Sequence, residues 1–196
     1  MKIVCLSGSP RPDGNSARIA ARFCDTAGKL GAVVKTFALN KLHYRGCQGC
    51  MACKAKLDRC ILEDDLTQVL EAVRNADVLV IASPVYYGDL SSQTKAFIDR
   101  TYSYFVPDFH TNPKPCRLAP GKKLVFILTQ GQPDESRYSD IYSRYEYFFV
   151  KRYSFSEGHL IRVCGMLDKD DIEARQDVFT LAEKTAEVLC RGVPKR

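Results

Sequence analysis

Lys2-Ile3-Val4-Cys5-Leu6-Ser7-Gly8-Ser9-Pro10-Arg11-Pro12-Asp13-Gly14-Asn15-Ser16 is the stretch that decides the fold. Lys2 to Leu6 is a short apolar, β-prone run. Gly8 ends it, and Asn15-Ser16 offers an N-cap before a helical stretch over 17–30. Strand, glycine loop and helix follow in that order. Glycines let a backbone approach a ligand, hydroxyls and the Asn15 amide can hydrogen-bond it, and a helix N-terminus aims free N–H groups at an anion. Arg11 adds a positive charge. An ordinary βα turn with an Asn/Ser cap uses the same residue types, so the segment alone leaves both readings open. Two relatives are excluded. A Walker loop ends in Gly-Lys-Ser/Thr and a dinucleotide fingerprint needs G-x-G-x-x-G; neither is present, which leaves a mononucleotide-type loop.

Outward from this unit the alternation continues. Strands are expected at 33–37, 77–82, 123–129 and 160–164, and helices at 66–75, 92–104, 139–153 and 171–191. The run Asp77-Val78-Leu79-Val80-Ile81-Ala82 is apolar on both faces, as a strand buried between helix layers should be. Five strands alternating with five helices predict an α/β fold with a parallel sheet covered on both faces, since parallel strands need crossover helices. In the flavodoxin strand order 2-1-3-4-5, a ligand crevice opens at the carboxyl ends of the first and third strands. The only long irregular stretches are 40–62 and 105–121, and loops of that length in a compact domain are usually functional or mobile.

At 196 residues, the whole of 1–196 reads as one domain with a cysteine-rich insertion at about 43–62. Hydrophobic residues at 45% and charged residues at 27% are ordinary globular values, and no apolar run is long enough to span a membrane. The amino terminus reaches Gly8 and Pro10 too soon for a signal peptide, so the expected location is cytoplasmic. The net charge of +6 is concentrated in residues 1–60, which hold 11 Lys+Arg against 3 Asp+Glu. These cations are scattered singly and no nucleic-acid motif accompanies them, so a phosphate-bearing cofactor or an acidic electron-transfer partner fits better than a nucleic acid.

Two later loops belong with the first. Ser83-Pro84-Val85-Tyr86-Tyr87-Gly88 follows the third strand, and its adjacent tyrosines can offer aromatic faces and backbone N–H groups to a flat heterocycle; they could equally cover core edges. Thr129-Gln130-Gly131 follows the fourth strand, where Gly131 permits close backbone approach and its neighbours supply hydrogen bonds to a ring edge.

Nine cysteines in such a chain argue against a disulfide framework. Four of them, Cys47, Cys50, Cys53 and Cys60, form C-x2-C-x2-C-x6-C. Three thiolates at intervals of three on a Gly46/Gly49 backbone can turn toward one compact centre, with the fourth returning from a short loop. The overlapping run favours an iron-sulfur cubane over zinc, which usually pairs two C-x2-C knuckles across a longer gap. Zinc and redox-active thiols remain open. Lys41, Arg45, Lys54, Lys56 and Arg59 would offset a cluster's negative charge.

The strings Gly8-Ser9-Pro10-Arg11, Gly14-Asn15-Ser16, Pro84-Val85-Tyr86-Tyr87-Gly88 and Lys95-Ala96-Phe97-Ile98-Asp99-Arg100 resemble the NAD(P)H-dependent FMN reductase branch of the flavodoxin-like superfamily. With the cysteine motif and the acidic run Glu63-Asp64-Asp65, the chain is similar to the iron-sulfur flavoproteins. The resemblance implies that Ser9, Arg11, Asn15 and Ser16 hold an FMN phosphate. By the same likeness Pro84, Val85, Tyr86, Tyr87, Gly88, Thr129, Gln130 and Gly131 would surround the flavin, and the four cysteines would carry a [4Fe-4S] cluster. It implies an FMN-dependent oxidoreductase in which the flavin takes or gives electrons, the cluster relays them singly, and no side-chain base is indispensable. A ferredoxin-like or NAD(P)H donor, a small-molecule acceptor, and a homodimer or homotetramer are expected, with no nucleic acid or membrane partner. The alternatives are an FMN or quinone reductase without a cluster, and an electron carrier that turns over nothing itself. Two departures stand out: the fourth cysteine lies six residues on, where ferredoxins use C-x3-C-P, and 105–121 matches no family motif.

Overall fold

Along β1 (Lys2–Ser7), Ile3 and Cys5 turn to one side and Val4 and Leu6 to the other, and all four are buried. A strand apolar on both faces needs cover on both faces. The computed structural model, which describes residues 1–191, supplies it. Five strands lie parallel in the order β2 (Val33–Ala38), β1, β3 (Val78–Tyr86), β5 (Lys123–Thr129), β6 (Glu157–Val163). In order of parallel strands this is 2-1-3-4-5, as the sequence predicts. The one addition is β4 (Asp89–Leu90), a two-residue strand that folds back antiparallel on the end of β3. The final five residues of the expected 1–196 domain lie outside the described residues.

Two cores follow from the pleat. Ile3, Cys5, Val78, Val80, Val125, Ile127 and Ile161 pack with α1 (Asn15–Lys29) and α6 (Gln176–Cys190). Val4, Leu6, Leu79, Ile81, Leu124 and Phe126 pack on the other face with α3 (Asp65–Arg74), α4 (Ser92–Arg100) and α5 (Asp140–Glu146). Two expected helices change pitch before they end. That of 92–104 finishes as a 3-10 turn over Thr101–Tyr104, and that of 139–153 as a π-helix over Tyr147–Arg152, which seats Phe149 in the core. Within the irregular 40–62 stretch, only α2 (Ala52–Ala55) is helical beyond a short 3-10 turn. No helix among the described residues is long and apolar enough to cross a membrane.

The sheet places the ends of β1, β3, β5 and β6 along one rim. Gly8 N–H donates to Ala82 C=O at 2.8 Å, Gln130 N–H to Val163 C=O at 3.0 Å, and Met166 N–H to Gln130 C=O at 2.9 Å. Backbone bonds thus tie the start of the β1 loop to β3, the β5 loop to the end of β6, and the β6 loop to the β5 loop.

Candidate cofactor cleft and cysteine loop

The first loop is built as an anion cradle. Helix α1 starts at Gly14, which has no side chain to cap it, and its first turn carries no acidic residue. The free N–H groups of that turn, with their positive end of the helix dipole, lack a protein partner of opposite charge. Ser16, on this turn, is 1% exposed and its hydroxyl has no hydrogen-bond partner. Buried hydroxyls are seldom left so. Ser9 Oγ accepts from Arg11 N–H at 3.1 Å, which curls the loop, and the Arg11 side chain stays exposed. Gly14 is closely packed: a Cβ there would stand 2.9 Å from Ser9 Oγ and 3.2 Å from Arg11 Cβ, so a side chain would have to push the serine hydroxyl aside. Gly8 is tighter still, since its Cβ would lie 1.8 Å from Thr94 Oγ1. A buried hydroxyl group of three, Ser83, Ser91 and Thr94, joins the elements beneath the loop. Ser91 Oγ donates to Gly8 C=O at 2.7 Å and stands 2.9 Å from Thr94 Oγ1, while Ser91 N–H donates to Ser83 Oγ at 3.0 Å.

One cleft is lined by Ser9, Arg11, Asn15, Ser16, Pro84, Val85, Tyr86, Thr129 and Gly131. These are nine of the twelve residues expected around the cofactor, drawn from three distant segments. The open cleft has a volume of about 80 Å³, room for a compact anion, and Tyr86 and Leu167 offer apolar surface at its lip. A roomier cavity of about 310 Å³ lies behind the loop, between α1 and edge strand β2, but it touches neither Ser16 nor either of the later loops.

Three expected residues do not line the cleft, and a fourth lines it with its amide already engaged. Tyr87 and Gly88, at φ 52° and 79°, make the tight turn between β3 and β4. Both central residues at positive φ is the geometry that suits a two-residue hairpin. It throws the Tyr87 ring fully into solvent. Gln130 is buried behind the rim, where its carbonyl oxygen accepts from Arg162 Nη2 at 2.6 Å and its amide donates to Gln132 C=O at 2.8 Å; it braces the loop from behind. Asn15 lies at the cleft, but its amide donates to Asp168 C=O at 2.7 Å and accepts from Ile172 N–H at 3.3 Å. Its side chain holds the loop after β6 in place. That loop brings Met166 and Leu167 to the cleft, two residues that sequence reasoning missed. The one signal for them was positional, since they follow the last strand on the same rim.

The four cysteines meet at a second, narrow cavity, which Cys47, Cys50, Cys53 and Cys60 line together with Met51, Ile61, Leu62, Arg100 and Tyr102. Cys47 and Cys50 are exposed, Cys53 and Cys60 half-buried, and none is in a disulfide. Among the described residues, no group of three or more His, Cys, Asp or Glu side chains is drawn close enough to hold a single metal ion. Of the five nearby cations expected to offset charge, Lys54 alone is hydrogen-bonded to a thiol: its ammonium is 3.5 Å from Cys53 Sγ and donates to Tyr102 C=O at 2.7 Å and Phe105 C=O at 2.9 Å. Burial lowers its pKa, and the neighbouring Cys53 pulls the other way. Arg117 donates to Cys53 C=O at 3.1 Å, to Ser103 C=O at 2.7 Å and to Phe105 C=O. The 105–121 segment, unreadable in the sequence, is thus a buttress for the cysteine loop.

Comparison with known proteins agrees with this geometry. The model of the NADPH-dependent FMN reductase family matches residues 1–137. An iron-sulfur flavoprotein of Methanocaldococcus jannaschii is 33% identical over 101 residues, and one of Methanosarcina thermophila 35% identical over 101 residues. In both cases the match covers 52% of this chain and 52% of the relative, so the chain spans about half the length of the curated relatives it matches. The crystal structure of an FMN-dependent NADH-azoreductase from Bacillus anthracis in complex with FMN superposes with a TM-score of 0.72 over 97% of this chain and all of that one. At 15% identity it speaks for the fold.

Proposed function

Because this chain belongs to the NADPH-dependent FMN reductase family, we propose that it is an FMN-dependent oxidoreductase that binds the cofactor in the cleft at the strand ends. One observation carries the reading: the Ser16 hydroxyl, buried and without a partner, on the uncapped first turn of α1. A phosphate there would take hydrogen bonds from that hydroxyl and from the free N–H groups, with Arg11 adding charge from the open side. Pro84, Val85 and Tyr86 would bound one side of the ring system and Gly131, Met166 and Leu167 the other. When bound, FMN exchanges electron pairs with nicotinamides or quinones and single electrons with metal centres. The chain's own part is to hold it, to keep water off one face with apolar side chains, and to present backbone donors to the ring edge. Titration of flavin-free protein with FMN should give one tight site, and Arg11→Ala should weaken it about 10- to 100-fold, the equivalent of one charge-assisted hydrogen bond at roughly 1.5–3 kcal/mol. A protein that takes up no FMN ends the proposal.

The finer part of the reading gives Cys47, Cys50, Cys53 and Cys60 a [4Fe-4S] cluster, a one-electron relay. Four thiols around a shared, partly apolar cavity with a cation against Cys53 fit such a centre. Zinc would need all its ligands about 2.3 Å from a single atom, whereas in a cluster each thiolate would bind its own iron. Donor and acceptor follow the same reading: a ferredoxin-like or nicotinamide donor and a small-molecule acceptor. The absence of a drawn-in ligand group favours a second reading, a flavin or quinone reductase whose cysteines stay as thiols. Iron and acid-labile sulfide measured per flavin after anaerobic purification separate the two. Four of each per chain support the cluster, and negligible iron leaves the second reading.

A further inference from the structure

Arg100 ends α4, and its side chain is completely withdrawn from solvent. Nη1 donates to Asp64 Oδ2 at 2.6 Å and to Arg45 C=O at 3.1 Å, and Nη2 donates to Leu62 C=O at 3.0 Å. Arg45 and Leu62 are the two ends of the cysteine stretch, so one guanidinium pins both. Of the two N–H donors then left, the Nε–H belongs to a nitrogen that is buried and has no partner at all. A donor on a buried cation is among the costliest groups to leave unpaired, and native structures leave few. Arg100 also lines the cavity that the four cysteines share.

We propose that Arg100 is a positioning residue for the sulfur centre: its Nε–H donates to a sulfur of the group held by Cys47, Cys50, Cys53 and Cys60 and raises that group's reduction potential. The inference rests on the cluster reading given above. Reduction adds negative charge to the sulfurs, and a hydrogen bond to them strengthens with that charge, so it favours the reduced form. Asp64 balances the net charge of Arg100, which makes the directed N–H its main contribution. Lys54, beside Cys53, supplies the uncompensated charge.

The test uses the anaerobically purified full-length protein. Arg100→Lys keeps a cation and lacks the Nε–H. In a variant that retains its iron and flavin, the reduced-to-oxidised ratio of the centre at fixed potential should fall about tenfold, which is a drop of about 59 mV for a one-electron couple. The flavin potential should stay where it is. An unchanged centre overturns the inference and leaves the cluster reading standing; a similar fall in both potentials signals a general disturbance and also overturns it. Should the variant not fold, wild-type protein carrying 15N in its arginine guanidinium groups gives the answer by pulsed EPR of the reduced centre. A nitrogen coupling supports the hydrogen bond and its absence refutes it. Wild-type protein without iron overturns this inference and the cluster reading together.

Discussion

The loops leaving β1 and β2 are neighbours on one rim and are held by opposite means. The β1 loop is short, and backbone does the work: a glycine that tolerates no Cβ, an N-terminus without a side-chain cap, and a hydrogen bond from Gly8 in the loop to Ala82 in β3. The β2 loop runs for more than twenty residues with little regular structure, and side chains hold it, two of them its own and two from elsewhere. Arg100 ties its ends, Lys54 and Arg117 fasten its middle, and Tyr44 donates to Gln93 C=O at 2.8 Å to lay its start on α4. Backbone holds a loop rigid at no cost in side-chain entropy but only over a few residues, whereas buried cations can organise a long one and leave it dependent on single residues.

That difference should show in how each loop breaks. Asp64→Ala has the largest expected effect. Asp64 is the counter-ion of Arg100, caps α3 by accepting from Leu66 N–H at 3.1 Å, and takes Arg45 N–H at 3.2 Å. Stranding the buried guanidinium should cost about 3–5 kcal/mol, read from the urea midpoint. If FMN affinity of the folded fraction falls as well, the two loops are less independent than their construction suggests. Next, Gly8→Ala should lose about 1–3 kcal/mol by overpacking against Thr94. Adding Thr94→Ala should return part of it, and strictly additive losses would mean that the contact is not what excludes a side chain.

Ser16→Ala sharpens the contrast in a different way. It removes an unsatisfied buried hydroxyl, so thermal stability of the flavin-free protein should hold or rise slightly while FMN binding weakens about tenfold, roughly 1.4 kcal/mol. A loss of apo stability would show that the hydroxyl is already satisfied without ligand. Tyr44→Phe is the smallest, about 0.5–1.5 kcal/mol at neutral pH for one hydrogen bond. Burial, followed by the negative charge of Asp64, pushes the Tyr44 phenol up to about 12. A phenol in the unfolded chain ionises near 10. Its folded pKa is the higher one, so its stabilisation is complete below about pH 10 and is lost as pH rises toward 12. The gap between wild type and variant should close over that window; a gap that widens contradicts the sign.

Legibility in the sequence followed the same division. The β1 loop, the parallel sheet and its strand order could be read because periodicity and glycine spacing are local; the cap was misplaced, since Asn15-Ser16 was expected before the helix and the structure puts Gly14 there and both residues inside α1. Asn15 and Gln130 could not be assigned. Residue type gives their hydrogen-bonding capacity, and only the tertiary structure shows that Asp168, Ile172 and Arg162 have taken it. Tyr86 and Tyr87 could not be told apart, because two adjacent tyrosines look equivalent until the turn's positive φ sends one of them outward. The cysteine spacing let it be read that the four thiols share one loop, and the structure has them line one cavity. That a buried arginine forty residues later lines the same cavity and ties the ends of the stretch was invisible, since nothing in the neighbourhood of Arg100 speaks of cysteine.

The bond from Asn15 to Asp168 spans 153 residues. A nascent chain leaving the ribosome would expose its first loop early, yet that loop has no partner to steady its flank until the segment around Ile172 has also emerged. Contacts of such sequence separation are closed late, after the entropy of the intervening chain has been overcome. Completion of the first loop thus waits for the segment around Ile172, and a chain cut short of residue 168 should lack both that brace and the cover that α6 gives one face of the sheet.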